Sequence, residues 1–199
     1  MSAQAKAGVP MRGLAKAGRW AAAALLLLAA GCSRVKDLPP VPDESDQAYR
    51  LGVSDQVRVL TFGEDSLSDI FRVNDAGNIA LPLLGPVRAR GLTTDELSQN
   101  IAGELNRRGY IRDPSVSVEV VEYRPVFVLG EVNRPGQYPF QPGMTVLSVA
   151  AVAGGFTYRA VQDQAAVVRL VQGQPVEGKA TPLTILRPGD VVTIYERIF

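Results

Sequence analysis

The first 32 residues set the strongest limit on what this chain can fold into, because they separate a leader from the part that can form a core. Four basic and no acidic residues occur in 1–31, and eleven apolar residues fill 20–30. This run is too short to cross a bilayer as a helix, which takes about 20 residues. Basic residues, a short apolar core and the small residues of 29–31 are typical of a secretory signal. We therefore predict that 1–31 is a signal peptide.

The single cysteine, Cys32, directly follows this signal. The arrangement resembles a bacterial lipoprotein signal, in which the cysteine is lipidated and becomes the mature N-terminus. The alternative is a plain signal peptide with an incidental cysteine. The lipoprotein interpretation, with Ser33 next to the cysteine, predicts a lipid anchor on the periplasmic face of the outer membrane of a Gram-negative envelope. Residues 32–48 are polar and proline-rich, so we expect a lipidated tether that reaches on the order of 50 Å.

The mature residues offer little chemistry for catalysis. Histidine is absent, and residues 32–199 hold 17 basic and 20 acidic groups. Histidine-based triads, histidine-ligated metals and intramolecular disulfides are therefore excluded, and no cofactor is expected. A hydrolase that uses two carboxylates is the enzyme class left, but no pattern supports it. The balance of charge also argues against a nucleic-acid partner, and we predict a protein that is not an enzyme.

Residues 49–124 contain the pattern of a small α+β domain. An alternating strand is expected at 51–59, a hairpin around the turn at 74–78, and a strand at 115–123. Thr93 and Glu96 form the sequence pattern of a capping box, which predicts a helix that begins there. Leu97, Ile101 and Leu105 would lie on one face of that helix.

Residues 125–199 predict a second domain. Strands are expected at 126–132 and around 138–140. Further strands at 165–171 and 191–195 follow a short helix that Thr145 caps and Gly154 and Gly155 end. Type II turns are expected at Pro-Gly pairs that begin at residues 135, 142 and 188. Two strands, a helix and further strands in about 70 residues fit a ubiquitin-like β-grasp layer, so the fold class is α+β.

The two domains share a short echo. Leu51-x-x-Ser-Asp55-x-Val matches Leu186-x-x-Gly-Asp190-x-Val, and in both copies the aspartate lies where a turn leads into a strand. A carboxylate at this place can accept a hydrogen bond from a backbone N–H of its own turn. We therefore interpret both aspartates as structural.

Several motifs in the same order resemble those of the outer-membrane polysaccharide export proteins, the Wza-like family. Residues 49–59 resemble its YxLGxGDxVxIxV opening, 73–87 its VDxxGxIxLPxxGxV segment, and 128–138 with 153–156 its soluble-ligand-binding β-grasp domain. The resemblance spans about 49–197. The motif residues with an expected structural role are Gly52, Asp55, Gly77, Pro82, Gly85, Gly130, Glu131, Pro135, Gly136, Gly154 and Gly155.

The resemblance implies a polysaccharide export domain at 49–124 followed by a β-grasp domain at 125–199. It also implies a non-catalytic, homo-oligomeric ring, with eight subunits as one candidate number, that guides a capsular or exopolysaccharide chain through the periplasm. Expected partners are the polysaccharide, an inner-membrane polysaccharide co-polymerase and a separate outer-membrane β-barrel, since the sequence ends directly after a strand. The alternative is a lipid-anchored glycan-binding or scaffolding module that forms no conduit.

Four side chains of the second domain are candidates for contact with the polymer. Arg134 and Arg159 could face the polymer or a neighbouring subunit, or could be solvated surface charges. Tyr138 and Phe140 could form a platform on which sugars stack, but we interpret them as core residues.

Overall fold

The computed structural model describes residues 38–43 and 47–197. The predicted signal peptide and Cys32 lie outside the described residues. Few helices and many strands make up the described part, which confirms the α+β class. Within it, no helix combines the length and apolar character that a membrane crossing requires.

The first core is built on two small sheets and one helix. Its elements are β1 (Gln56–Thr61), β2 (Asp69–Arg72), β3 (Asn78–Leu81), β4 (Gly85–Arg88), α1 (Thr94–Arg107) and β5 (Val116–Glu122). An antiparallel sheet has the order β2-β1-β5, while β3 and β4 form a separate antiparallel pair. Alternate residues of β1 and β5 point into this core, as the period of two in the sequence predicts.

Helix α1 begins and packs as predicted. The Thr93 side chain accepts from the backbone N–H of Glu96, and the Glu96 carboxylate accepts from the backbone N–H of Thr93, which completes the capping box. That backbone hydrogen bond lowers the pKa of Glu96, with a further contribution from nearby Arg50. Leu97, Ile101 and Leu105 are buried, so one apolar face of the helix holds it on the sheets.

The turn predicted around residues 74–78 is present, but the strands on its two sides do not pair with each other as a hairpin. The turn forms, because the N–H of Asn74 donates to the Asn78 carbonyl at 2.9 Å and the N–H of Gly77 donates to the Asn74 carbonyl at 2.8 Å. However, β2 pairs with β1 and β3 pairs with β4. The turn therefore passes the chain from one sheet to the next.

The second core is a five-stranded sheet that packs against one helix. Its elements are β6 (Val126–Gly130), β7 (Gly136–Tyr138), α2 (Val146–Val152), β8 (Ala165–Val171), β9 (Gln174–Ala180) and β10 (Val191–Ile194). The strand order is β7-β6-β10-β8-β9, and only the central pair, β6 and β10, is parallel. The first and last strands thus lie side by side in the centre, which is the arrangement of a β-grasp. Strand β9 was missing from the sequence prediction.

Two of the three predicted type II turns are confirmed and one is wrong. The N–H of Met144 donates to the Gln141 carbonyl at 3.0 Å around Gly143 (φ +82°), and Gly189 (φ +87°) lies in the matching turn at 187–190. Gly136 instead has φ +159°, close to extended, and is the first residue of β7. The N–H groups of Asn133 and Arg134, directly before Pro135, donate to carbonyls at the end of α2 and in the loop after it, so no tight turn is needed there.

Part of the predicted tether is attached to the second core. Pro40 lies beside Lys179 of β9 in a parallel bridge, and the N–H of Val41 donates to the Lys179 carbonyl at 2.9 Å. The N–H of Lys179 donates to the Pro39 carbonyl at 2.7 Å, and Val41 packs on the core. The expectation of a free tether is therefore corrected at 39–42. These residues extend the sheet because β9 is otherwise an edge strand with unpaired backbone groups.

Candidate functional site

A turn at residues 52–55, here called the Asp55 turn, lies at the start of the first domain, and the buried carboxylate of Asp55 stabilises it. Asp55 is fully buried, and its Oδ2 accepts from the backbone N–H of Gly52 at 2.7 Å and from the Tyr49 hydroxyl at 2.6 Å. Its Oδ1 accepts from the backbone N–H of Arg124 at 2.7 Å. Three donors thus satisfy one charge out of water, as a buried carboxylate requires. These are the contacts that the structural interpretation of Asp55 expects.

The Asp190 turn repeats this arrangement in the second domain. Oδ2 of the buried Asp190 accepts from the backbone N–H of Arg187 at 2.8 Å, the position that corresponds to Gly52 in the first turn. A side chain from β8, Arg169, replaces the tyrosine. Its Nη2 lies 2.7 Å from Asp190 Oδ2, and its Nη1 donates to the Pro42 carbonyl at 2.7 Å. The buried ion pair therefore holds both the turn and the segment 39–42.

Arg124 lies between the two turns. Its backbone N–H donates to the Asp55 carboxylate, while its side-chain Nε donates to the carbonyl of Pro188 in the Asp190 turn at 2.9 Å. Space for the side chain comes from two glycines. A Cβ on Gly52 would lie 1.3 Å from Arg124 Nη1, and one on Gly189 would lie 2.9 Å from Arg124 Nε. One arginine thus joins the echoed turns of the two domains.

Aromatic rings extend this junction. Tyr49 and Tyr123 meet edge to face with centroids 5.1 Å apart, and Tyr123 and Phe140 do so at 5.5 Å. The Arg124 guanidinium lies 5.8 Å from the Tyr49 ring centroid. Burial raises the pKa of Tyr49 well above its usual value; nearby Arg124 opposes this shift, and Asp55 adds to it. Phe140 therefore packs at the junction and on the second core, which favours the core interpretation over a sugar platform.

An open groove of about 400 Å³ runs past the first two of these rings. It is lined by Ala48, Tyr49, Thr93, Thr94, Asp95, Val118, Glu119, Val120 and Tyr123. Aromatic rings beside carboxylates and hydroxyls form a surface that can contact the apolar face and the hydroxyls of a sugar.

The motif glycines of the first domain mark turns and close contacts. Gly77 has φ +82°, and a Cβ there would lie 2.6 Å from the Cβ of Arg90, so the turn at 74–78 needs glycine. Pro82 and Gly85 flank the connection from β3 to β4, where the N–H of Leu84 donates to the Pro82 carbonyl at 2.7 Å. These residues therefore define turns of the first domain and make none of the contacts of the Arg124 junction described above.

The motif residues of the second domain come together in one corner. Gly130 (φ +83°) passes so close to β10 that a Cβ would lie 2.0 Å from the Ile194 carbonyl oxygen. The backbone N–H of Glu131 donates to that oxygen at 2.9 Å, and its carboxylate accepts from the Thr157 hydroxyl.

The loop after α2 completes the corner. The N–H of Asn133 donates to the Gly155 carbonyl at 3.0 Å, and its side-chain amide donates to the Gly154 carbonyl at 2.7 Å. Pro135 and Gly136 follow directly and lead into β7. Segments 130–136 and 154–155, separate in the sequence, thus form one hydrogen-bonded unit.

The remaining candidates for contact with the polymer have local partners. Arg134 donates to the Val152 carbonyl at 3.0 Å, and Arg159 pairs with Glu196. Tyr138 packs on the second core and its hydroxyl donates to the Arg134 carbonyl. Cys32 lies outside the described residues.

Arg124 and Arg169 are the residues that sequence reasoning missed. In the sequence, Arg124 is only the last residue of the predicted first domain, and Arg169 is one residue within a predicted strand. A polar residue at a core position of an apolar strand is the signal that could have identified Arg169. Within residues 38–43 and 47–197, no cluster of acidic side chains could hold a metal ion.

Two family models match the chain in succession. The model described as polysaccharide biosynthesis/export protein matches residues 43–121, and the model of the SLBB domain matches residues 125–180. The chain is 37% identical over 118 residues to the exopolysaccharide production protein ExoF of Rhizobium meliloti, which covers 54% of this chain and 28% of ExoF.

Two further relatives are more distant. The EPS I polysaccharide export outer membrane protein EpsA of Ralstonia nicotianae is 27% identical over 164 residues, 76% of this chain and 42% of EpsA. The polysialic acid transport protein KpsD of Escherichia coli is 28% identical over 109 residues, 54% of this chain and 19% of KpsD. The chain thus spans less than half the length of each of these relatives.

Proposed function

We propose that this chain is a polysaccharide export protein, and that it acts as a lipid-anchored component of a periplasmic ring that guides a capsular or exopolysaccharide chain through the envelope. The observation that carries the proposal is the succession of an export domain and an SLBB domain in one chain. Two of the relatives are named as an export and a transport protein. Their names include both EPS I and polysialic acid, so the proposal concerns an exported polysaccharide in general.

The proposed anchor is Cys32, with the domains hung below the outer membrane. Since the chain joins β9 at Pro39, only residues 33–38 separate the cysteine from the folded part. Seven residue steps span at most about 25 Å when fully extended. The anchor therefore allows about half the reach that a free segment 33–48 would have, and the β9 edge is the part of the fold nearest to it along the chain.

The proposed role in transport is passive. The names of two relatives, which describe export and transport proteins, support this role. A polymer that slides needs weak and replaceable contacts, which exposed polar groups and bridging waters supply. Ring closure would come from one surface patch of each subunit against a different patch of the next. The inner-membrane co-polymerase and the outer-membrane β-barrel would be the partners at its two ends.

A strain that lacks the gene tests the role. We expect surface polysaccharide to fall and cell-associated polymer to remain, with recovery by the natural protein. Recovery should fail with Cys32→Ser, which should also release the protein from the outer-membrane fraction. Unchanged surface polymer would contradict the export role, and unchanged membrane retention of Cys32→Ser would contradict the anchor.

The ring has its own test. Native mass spectrometry of the protein extracted from membranes should give one closed oligomer of defined subunit number. A monomer at all concentrations would favour the glycan-binding or scaffolding module over the conduit.

A further inference from the structure

A second open groove, of about 270 Å³, lies between β4 and the C-terminal half of α1. Its lining residues are Pro86, Val87, Arg88, Asn100, Glu104, Arg107 and Arg108. Three arginines thus face one glutamate. The whole chain carries a formal charge of only +1, so this is a local excess of positive charge.

The arginines are held by contacts that leave part of each guanidinium available. Glu104 accepts from Arg107 and from Nε of Arg108 at 3.3 Å, and Nη1 of Arg108 donates to the Leu84 carbonyl at 3.3 Å. Across the groove, Nε of Arg88 donates to the Arg90 carbonyl at 3.2 Å. Each guanidinium has five N–H donors, so further donors remain on all three side chains.

The position of the arginines is only partly explained by the helix. Arg107 and Arg108 follow the usual preference for basic residues at a helix C-terminus, where they offset the negative end of the dipole. Arg88 comes from a strand on the other side of the groove and has no such reason to be there. Two independent elements thus direct positive charge into the same cleft, which also contains the amide of Asn100.

We propose that this groove binds acidic sugar residues, those that carry a carboxylate, of the polymer that the protein handles. The proposal rests on the proposed function, since it names the substrate class of the export component. A guanidinium pairs with a carboxylate through two parallel hydrogen bonds, and the Asn100 amide can donate to and accept from sugar hydroxyls. Because Arg107 and Arg108 are exposed, each contact is weak and exchanges readily, as transport along the groove requires.

Binding of a defined polymer tests the groove directly. The full chain, extracted in detergent, is titrated with polygalacturonate, with neutral dextran and with poly-glutamate. The test variant is Arg88→Gln/Arg107→Gln. The matched control is Arg58→Gln/Arg72→Gln, which makes the same change in charge on the neighbouring strands β1 and β2. Thermal unfolding of each variant checks that it is folded.

We expect the natural protein to bind polygalacturonate more tightly than dextran or poly-glutamate. The test variant should weaken that binding about tenfold, the control less than twofold, and added salt should reduce the difference. Equal losses in both variants, equal binding of dextran, or no binding of polygalacturonate would overturn the proposal. Poly-glutamate as the tightest ligand would assign the groove to an acidic protein partner and would also overturn it. None of these results depends on export, which the deletion strain tests separately.

Discussion

Replacing Gly178 by alanine should release the segment 39–42 from β9 without unfolding the second domain. A Cβ at this position would lie 2.4 Å from the Cα of Val41 and 2.6 Å from its nitrogen. Both are backbone atoms of the attached segment, so a rotamer change cannot relieve the contact. Gly178 lies within β9 without a positive φ, so alanine is compatible with the strand itself.

The magnitude follows from the hydrogen bonds that hold the segment. Release breaks two backbone bonds between Lys179 and 39–41, and one from Arg169 to the Pro42 carbonyl. At about 1 kcal/mol for each neutral bond and 1.5–3 kcal/mol for the charged one, they contribute about 3.5–5 kcal/mol. The freed backbone regains less than the usual value of about 1–2 kcal/mol per residue of conformational entropy, because three of the four residues are prolines with a fixed φ, and this gain is similar in size to the loss. We therefore expect the free energy of global unfolding to change by less than about 2 kcal/mol.

Hydrogen exchange measures the local effect. The amides of Val41 and Lys179 should exchange at least about tenfold faster in Gly178→Ala, equivalent to about 1.4 kcal/mol of local opening, while amides of β6 and β10 keep their protection. Gly103→Ala on α1 is the matched control, because no atom lies within 4 Å of its Cβ position. Unchanged protection at Val41 would refute the attachment, and loss of protection throughout the sheet would show that the segment is part of the cooperative core.

Three further substitutions test the close contacts and the buried charges. Gly130→Ala should destabilise the second domain by about 2–4 kcal/mol in urea unfolding, because its Cβ would meet the Ile194 carbonyl at a positive φ; a loss below 1 kcal/mol would contradict the close approach. Arg169→Met should cost about 3–5 kcal/mol, because it leaves the Asp190 charge buried without its partner; a change within 1 kcal/mol would contradict the burial of the pair. Tyr49 has a raised pKa in the folded state, so its contribution to stability is complete below about pH 10 and is lost as the pH rises above that value and the unfolded state ionises. Tyr49→Phe should flatten this alkaline decline in urea unfolding measured from pH 8 to 11, and an identical slope in both proteins would contradict it.

Local signals predicted the helices and most turns because their causes lie within a few residues. The capping box at Thr93 and the glycines at 143 and 189 needed no distant partner, and each is present in the structure. The Asp55 and Asp190 turns were also predictable, since each carboxylate accepts from the N–H three residues earlier in its own turn.

The failures arose where a distant segment decides the structure. The sequence Pro135-Gly136 is typical of a type II turn. In the structure the N–H groups of the two preceding residues donate instead to the end of α2 and the loop after it. Strand β9 contains Pro175 and Gly178, which argue against a strand in sequence. Gly178 is needed because 39–42 passes over it, and Pro175 lies near the start of the strand. Nothing in the proline-rich sequence of 39–42 indicates that this segment pairs with the edge of β9.

The contacts of Arg124 limit how the two domains can rotate against each other. The Asp55 turn lies at the start of the first domain and the Asp190 turn near the end of the second, and Arg124 hydrogen-bonds to both. A rotation of one domain against the other must therefore break the contact of Arg124 with Asp55 or with Pro188. Gly52 and Gly189 leave the side chain little room to find another path. A closed ring of the kind proposed above repeats one angle between subunits, and an error in the angle inside each subunit accumulates around the circle. A fixed junction between the two domains is therefore the property that such a ring would require of this chain.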